Sequence, residues 1–278
     1  MQVEIRLLLE SDIPAAMQLK EAAGWNQTED DWRRLLLLEP NGCFCAIKDG
    51  RVVGTTTTTT YVDELAWVGM VLVDPQHRRQ GIAAKLMSVA LDYLKERVGT
   101  VKLDATALGQ PVYERFGFQV ESLVERWSGQ GNSRRRDERM VVDSLNEILA
   151  LDGVVFNADR SKLIGELISR SVVPPVLVRD ADGALSGYAL ARHGTRANYV
   201  GPVVAKGPQQ VETLLDEVLS QLGDSPVYID FNRECSAGTS LLSDRGFVKE
   251  RDLIRMTTGR PSAKTSPLVV AIAGPELG

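Results

Sequence analysis

Cysteine and histidine are scarce. Cys43, Cys45 and Cys235 are the only thiols, and His77 and His193 the only imidazoles, among 278 residues. An odd and small thiol count excludes a disulfide framework, and a four-ligand zinc site would have to draw on distant residues, so no metal is expected. Cys43 and Cys45, two apart, match one face of a strand. Long apolar runs are also missing. Even Leu35–Leu38 is flanked by Arg34 and Glu39, far short of the roughly 18 residues that span a bilayer. The first residues set Glu4, Arg6 and Glu10 among apolar neighbours, unlike a secretory signal. A basic excess is absent as well. Residues 1–140 hold 18 Lys and Arg against 20 Asp and Glu, and the remainder 14 against 17. Neither half therefore has the field that nucleic acid or an anionic membrane normally requires. The run Arg134–Arg136 is followed at once by Asp137 and Glu138 and reads as a solvated loop. These absences predict a soluble cytoplasmic chain with neither nucleic acid nor membrane as partner; an oligomer is compatible with them.

What is present is an ordinary globular composition, 44% hydrophobic and 25% charged, in a length that predicts two domains. Helical apolar spacing covers residues 12–23 and 28–38, the second opened by Thr28 with Asp31 three residues on, a variant of the capping box. Phe44–Lys48 and Arg51–Tyr61 read as strands joined by Asp49-Gly50. The threonines Thr55–Thr60 belong to the second of these, because β-branching suits a strand. A strand over 66–73, a helix over 82–97, a strand over 101–105, a helix over 110–116 and a strand over 118–126 complete the first half. The same order recurs in strands over 176–179, 185–191 and 199–204, a helix over 211–221, a strand over 227–231, a short helix to about Asp244 and a strand from Phe247. Arg115-Phe116-Gly117-Phe118 is matched by Asp244-Arg245-Gly246-Phe247. Repeats of this length predict a duplicated domain, 1–139 and 140–278, with the polar stretch Ser128–Arg139 as boundary and Met140–Leu151 as connector. The apolar run Leu268–Gly274 predicts a last strand of the second sheet.

One segment carries chemistry. Val71-Leu72-Val73-Asp74-Pro75 ends a buried strand at a residue that cannot donate to a ladder. His77-Arg78-Arg79-Gln80-Gly81 then forms a polar loop, and Ile82-Ala83-Ala84 opens an amphipathic helix. Small residues let a ligand approach the backbone, and the unpaired N–H groups of a first helical turn attract phosphate oxygens. Arg78 and Arg79 add charge-assisted bonds. This pattern points to a pyrophosphate. No Gly-x-x-x-x-Gly-Lys-Ser/Thr occurs, nor a Gly-x-Gly-x-x-Gly directly after a strand, which sets aside the usual nucleotide loops.

An Arg/Gln-x-x-Gly-x-Gly/Ala loop between a strand ending Val-x-Pro and a helix resembles the acyl-CoA signature of the GCN5-related N-acetyltransferases (GNAT). Here it is Arg78, Gly81 and Ala83, with Ala in place of the commoner second Gly. The resemblance implies an α/β (α+β) fold, two tandem GNAT domains, each a mixed, mostly antiparallel central sheet flanked by helices. It implies acetyl-CoA contacts from Val71, Leu72 and Val73 of the strand, Arg78, Arg79, Gln80 and Gly81 of the loop, and Ile82, Ala83 and Ala84 of the helix. Downstream, Leu103-Asp104-Ala105-Thr106 leads to Gly109, Tyr113, Phe116, Gly117 and Phe118. A tyrosine four residues before Gly-Phe commonly protonates the departing thiolate in this family, which implies that role for Tyr113. Thr106 and Gly109 stand where the family often has Asn and Ala. Direct attack by a neutral amine is implied, with the oxyanion held by a backbone N–H near Val71. Asp63, Glu64, Asp104 and a water relay are the alternatives for the base.

The second half lacks these features. Its loop, Ala205-Lys206-Gly207-Pro208-Gln209-Gln210, is shorter, has no arginine and places Pro208 among the N–H donors; Leu242 stands where the first half has Tyr113. The whole chain resembles tandem GNAT proteins with an active first domain and a degenerate second one, expected to shape the acceptor site. The expected activity is transfer of acetyl from acetyl-CoA to the amine of a small molecule. Protein lysine or amino-terminal acetylation, and acyl-CoA sensing without chemistry, are the alternatives.

Overall fold

The computed structural model describes residues 3–62, 64–132, 144–261 and 264–278. They form two compact units that do not follow chain order. The first comprises Met1–Gln119, Met256–Pro261 and Glu276–Gly278; the second comprises Val120–Arg255 and Ser262–Pro275.

The first unit holds β1 (Glu4–Leu7), α1 (Ile13–Ala22), α2 (Glu29–Leu38), β2 (Phe44–Lys48), β3 (Arg51–Tyr61), β4 (Leu65–Val73), α3 (Ile82–Leu94), β5 (Thr100–Ala105) and α4 (Gln110–Glu114). The capping box at α2 forms as read: the Thr28 hydroxyl accepts from the Asp31 N–H at 3.3 Å, and the Asp31 carboxylate accepts from the Thr28 N–H at 2.7 Å. The strands lie in the order β1-β2-β3-β4-β5, antiparallel except for the parallel pair β4–β5. The threonine run is the buried centre of β3, with Thr55–Thr59 essentially without exposure. Its side chains alternate between two faces. Gly54 points at Ile82 and Leu86 of α3, so Thr56, Thr58 and Thr60 share the α3 face. Cys45, opposite Thr55, lies instead against Asp12 at the start of α1, so Thr55, Thr57, Thr59 and Tyr61 look the other way.

The second unit contains β6 (Gln119–Gln130) from Val120 on, α5 (Leu145–Phe156), α6 (Ser161–Ser169), β7 (Val176–Arg179), β8 (Leu185–Arg192), β9 (Asn198–Ala205), α7 (Pro208–Leu222), β10 (Pro226–Asn232), α8 (Ser240–Ser243), β11 (Val248–Gly259) as far as Arg255, and β12 (Val269–Ala271). Its strand order is β11-β6-β10-β12-β9-β8-β7. Both sheets are mixed, mostly antiparallel and flanked by helices. Leu214, Leu215, Val218 and Leu219 of α7 build the core with Val203, Ile229 and Phe231.

Several expectations differ from what forms. β6 reaches Gln130, so Ser128–Gln130 is strand and pairs with β10; the rest of the expected boundary, with Arg134–Arg136, lies outside the described residues. The expected connector is helical from Leu145, because its apolar residues pack into the second unit. β1 and α6 were not expected at all. The late apolar run forms a strand, β12, yet in the interior of the sheet between β10 and β9. None of the described helices is long and apolar enough to cross a membrane.

Candidate functional site

The loop after β4 is built around its backbone. The Asp74 carboxylate accepts from the Gln76 N–H at 2.7 Å, closing a short 3-10 turn over Pro75–His77. Arg79 and Gly81 both take left-handed backbone angles, φ 61° and 76°. Left-handed Gly81 followed by the right-handed first residue of a helix, Ile82, turns successive N–H groups to one side, an anion-binding nest. Gly81 caps α3 without a side chain, and Lys85 donates the first helical bond back to it at 3.0 Å. The N–H groups of Ile82, Ala83 and Ala84 therefore have no acceptor within the helix. A Cβ at Gly81 would meet nothing within 4 Å, so the glycine answers to conformation and leaves open space over the amides. Ile82 is buried and anchors the turn, while Arg78, Arg79, Gln80 and Ala84 are exposed. Arg78 Nε bonds the Val73 carbonyl at 3.3 Å, and Gln80 accepts from Lys48 at 3.0 Å. A helix N-terminus, a nest and two arginines have the donor chemistry a pyrophosphate needs.

Upstream, β4 carries a bulge. Thr55 pairs with Leu72 and Thr57 with Gly69, leaving Thr56 of β3 against Met70 and Val71 of β4. Met70, inside it, has φ 49°, and the Thr55 hydroxyl holds its carbonyl at 2.8 Å. A bulge leaves its extra residue outside the ladder; here that residue lies at Met70–Val71. On the opposite edge, β4 pairs with β5 only over Leu65–Trp67 and Thr100–Lys102. Beyond Lys102 the strands part, and no described strand comes between them. The bulge, the gap and the nest thus share the carboxyl end of β4.

α4 follows on β5 and brings Tyr113 to that same end. Its ring packs edge-on against buried Phe118, centroids 6.2 Å apart. Burial pushes the Tyr113 phenol up to about 12, so it is a neutral proton donor at physiological pH. The base candidates separate. Asp104 stands level with Gly69 by parallel register. Glu64 precedes β4, about 20 Å along the strand from the bulge, too far to act there. Asp63 lies outside the described residues.

One carboxylate went unnoticed in the sequence. Glu276 is buried in the first unit, 2% exposed, with its backbone directly over Gly69: a Cβ on that glycine would come within 2.7 Å of the Glu276 Cα. Gln27 donates to its carboxylate at 2.9 Å, and Tyr61 donates to the Leu277 carbonyl at 2.5 Å. Its only signal was Gly69, a glycine inside a strand, which marks close backbone approach.

The second unit repeats the frame without the site. Phe118 and Phe247 donate to Tyr113 and Leu242 at 3.3 and 3.0 Å in the same turn, and Gly117 and Gly246 match at φ 81° and 78°. Leu242, however, is a core residue. Gly207 is extended, Pro208 opens α7 without an N–H, and the Gln210 side chain sits over Gly207. β9 has a bulge between Val200 and Val203, and it pairs in parallel with β10 only as far as Val200 and Ile229. There β12 fills the opening, pairing with Val203–Val204 on one side and Phe231 on the other. Among the described residues no group of three His, Cys, Asp or Glu is arranged to hold a metal ion.

Comparison with known proteins finds one family in both halves of the chain. Residues 9–118 match the model of the acetyltransferase (GNAT) family, and residues 148–267 that of an acetyltransferase (GNAT) domain. The chain is 25% identical over 255 residues to the uncharacterized N-acetyltransferase YitH of Bacillus subtilis (strain 168), covering 89% of this chain and 88% of YitH. It is 22% identical over 262 residues to the holothin acyltransferase of Pseudoalteromonas sp. (strain SANK 73390), covering 92% and 88%. The fold matches that of a Pyrococcus horikoshii protein assigned to the acetyltransferases, with TM-score 0.84 and 20% identity over 99% of this chain and 96% of the other.

Proposed function

Because the chain belongs to the GNAT acetyltransferases and carries two of their domains in tandem, we propose that it transfers acetyl from acetyl-CoA to a primary amine of a small molecule, using the first repeat alone. It is an acyltransferase of that family, whose cosubstrate is an acyl-CoA. The observation that carries the proposal is the coincidence of nest, bulge and gap at one end of β4, and Tyr113 lies on the helix that follows β5.

The pyrophosphate lies on the amides of Gly81, Ile82, Ala83 and Ala84, with Arg78 and Arg79 neutralising its charge and Gln80 lining the rim. The pantetheine arm runs into the gap between β4 and β5 along Val71, Leu72 and Val73, where freed backbone groups replace its bonds to water. The thioester carbonyl then meets the N–H of the bulge near Val71, a fixed dipole aimed at the oxygen that gains charge as the amine attacks. As the carbon–sulfur bond breaks, the Tyr113 phenol gives its proton to the sulfur. Burial keeps the proton on that phenol, and a thiol is far more acidic than a phenol at about 12, so Tyr113 acts as transition-state donor and regains its proton from the amide nitrogen through water. The second repeat, with its opening filled by β12 and Pro208 in its loop, contributes scaffold and takes no acyl-CoA.

A CoA-release screen with acetyl-CoA against amino acids, polyamines, amino sugars and peptides tests this assignment. Release with a small amine supports it. Release with peptides only redirects it to protein acetylation, and acetyl-CoA binding without release by any amine leaves a sensor.

A further inference from the structure

We propose that Glu276, with Thr57, Thr59 and Gln27, forms the pocket that recognises the acceptor as a protonated amine and removes its proton; this rests on the acetyl-transfer assignment above. Thr57 lies opposite Gly69, and Thr59 opposite Trp67. Their side chains therefore share the sheet face that carries Glu276–Gly278, since Glu276 covers Gly69 and Gly278 covers Trp67. The Thr57 and Thr59 hydroxyls and the Gln27 Oε1 are all buried and have no hydrogen-bond partner among the described residues. A buried hydroxyl without a partner is costly, so such atoms tend to mark a ligand or another constraint. All three can accept a hydrogen bond, and beside them stands a buried carboxylate. An ammonium group, with N–H donors and a positive charge, is the complement of that set.

The position also suits the chemistry. α3 and its phosphate nest lie on one face of the sheet and Glu276 on the other, so cosubstrate and acceptor reach the bulge from opposite sides. One ammonium proton passes to Glu276, and the freed nitrogen lone pair bonds to the thioester carbon. The carbon–sulfur bond breaks, Tyr113 protonates the sulfur, and the surplus proton of the new amide returns to Tyr113 through water. Glu276 releases its proton to solvent, so each turnover frees one proton.

Glu276→Gln tests this with the best amine from the screen, or with spermidine and glucosamine if none turns over. Steady-state kinetics and calorimetric amine binding in the presence of CoA are both read. The isosteric amide can still accept from Gln27. The expected result is a rise of about tenfold or more in amine KM and Kd, with acetyl-CoA affinity unchanged. Thr57→Val with Thr59→Val gives a second arm that keeps the β-branched strand. Removing orphaned hydroxyls should raise Tm, while the amine KM or Kd rises at least about threefold. Thr56→Val, whose equally unpartnered hydroxyl faces α3, should raise Tm and leave amine binding alone. Equal amine binding in wild type and both variants, or no binding of any amine by wild type, overturns the pocket. Amine binding that depends on Glu276 without CoA release keeps the pocket and overturns the acetyl-transfer assignment.

Discussion

The two repeats run the same strand, bulge and helix, and differ in what lies beside the bulge. β4 and β5 part after Lys102 and leave a gap, whereas the corresponding gap of β9 and β10 holds β12. Asn232 ties that filling strand in place, its side-chain amide donating to the Val269 carbonyl at 2.9 Å, and Ile272 donates to the Asp230 carbonyl at 3.1 Å. An open parallel pair leaves backbone groups that need a partner. In the first repeat they are open to the proposed cosubstrate, and in the second they are satisfied from its own chain. Between the repeats the slot is filled while the frame around it is kept.

Six variants can break or sharpen this contrast. Tyr113→Phe should lower kcat by about 10² to 10³ with acetyl-CoA affinity kept, whereas Leu242→Met at the equivalent core position should leave kcat alone; rapid kinetics beside calorimetry separates the two. Because Tyr113 keeps its proton up to about 12, it should contribute no loss of rate between about pH 7 and 10. Arg78→Ala with Arg79→Ala should weaken acetyl-CoA binding by about ten- to a hundredfold, while thermal unfolding is little changed because both side chains are exposed. Asn232→Ala should reverse that pattern, costing about 1–3 kcal/mol in denaturant unfolding without altering acetyl-CoA affinity. The smallest effect concerns the two caps. Gly81→Ala forces a side chain onto a left-handed residue and should cost about 1 kcal/mol. Gly207→Ala, in extended backbone against the movable end of Gln210, should cost less in the same melting experiment.

Local chemistry was legible in the sequence. The loop Arg78–Ala84 and the turn after Tyr113 are each contiguous in the chain, so the strand–loop–helix order and the family resemblance could be read locally, as could the different residues at Gly207–Gln210 and Leu242. Long-range partnership was not legible. Periodicity announces a strand over 118–126 or 268–274 and says nothing of its neighbours, which is why β6 beside β10 and β12 inside the sheet came only with the structure. β1 alternates polar and apolar residues but has only four of them, too short to stand out. Glu276 is 207 residues from Gly69, and only the fold brings them together. The second repeat also kept its hydrophobic pattern, so the difference between the repeats was legible in loop chemistry and not in its strands.

Calorimetric titration of the full chain with acetyl-CoA tests the unequal fates of the repeats most directly. One site per chain, abolished or strongly weakened by Arg78→Ala with Arg79→Ala, is the predicted result. Two sites per chain, or one that survives the double substitution at full affinity, would contradict it.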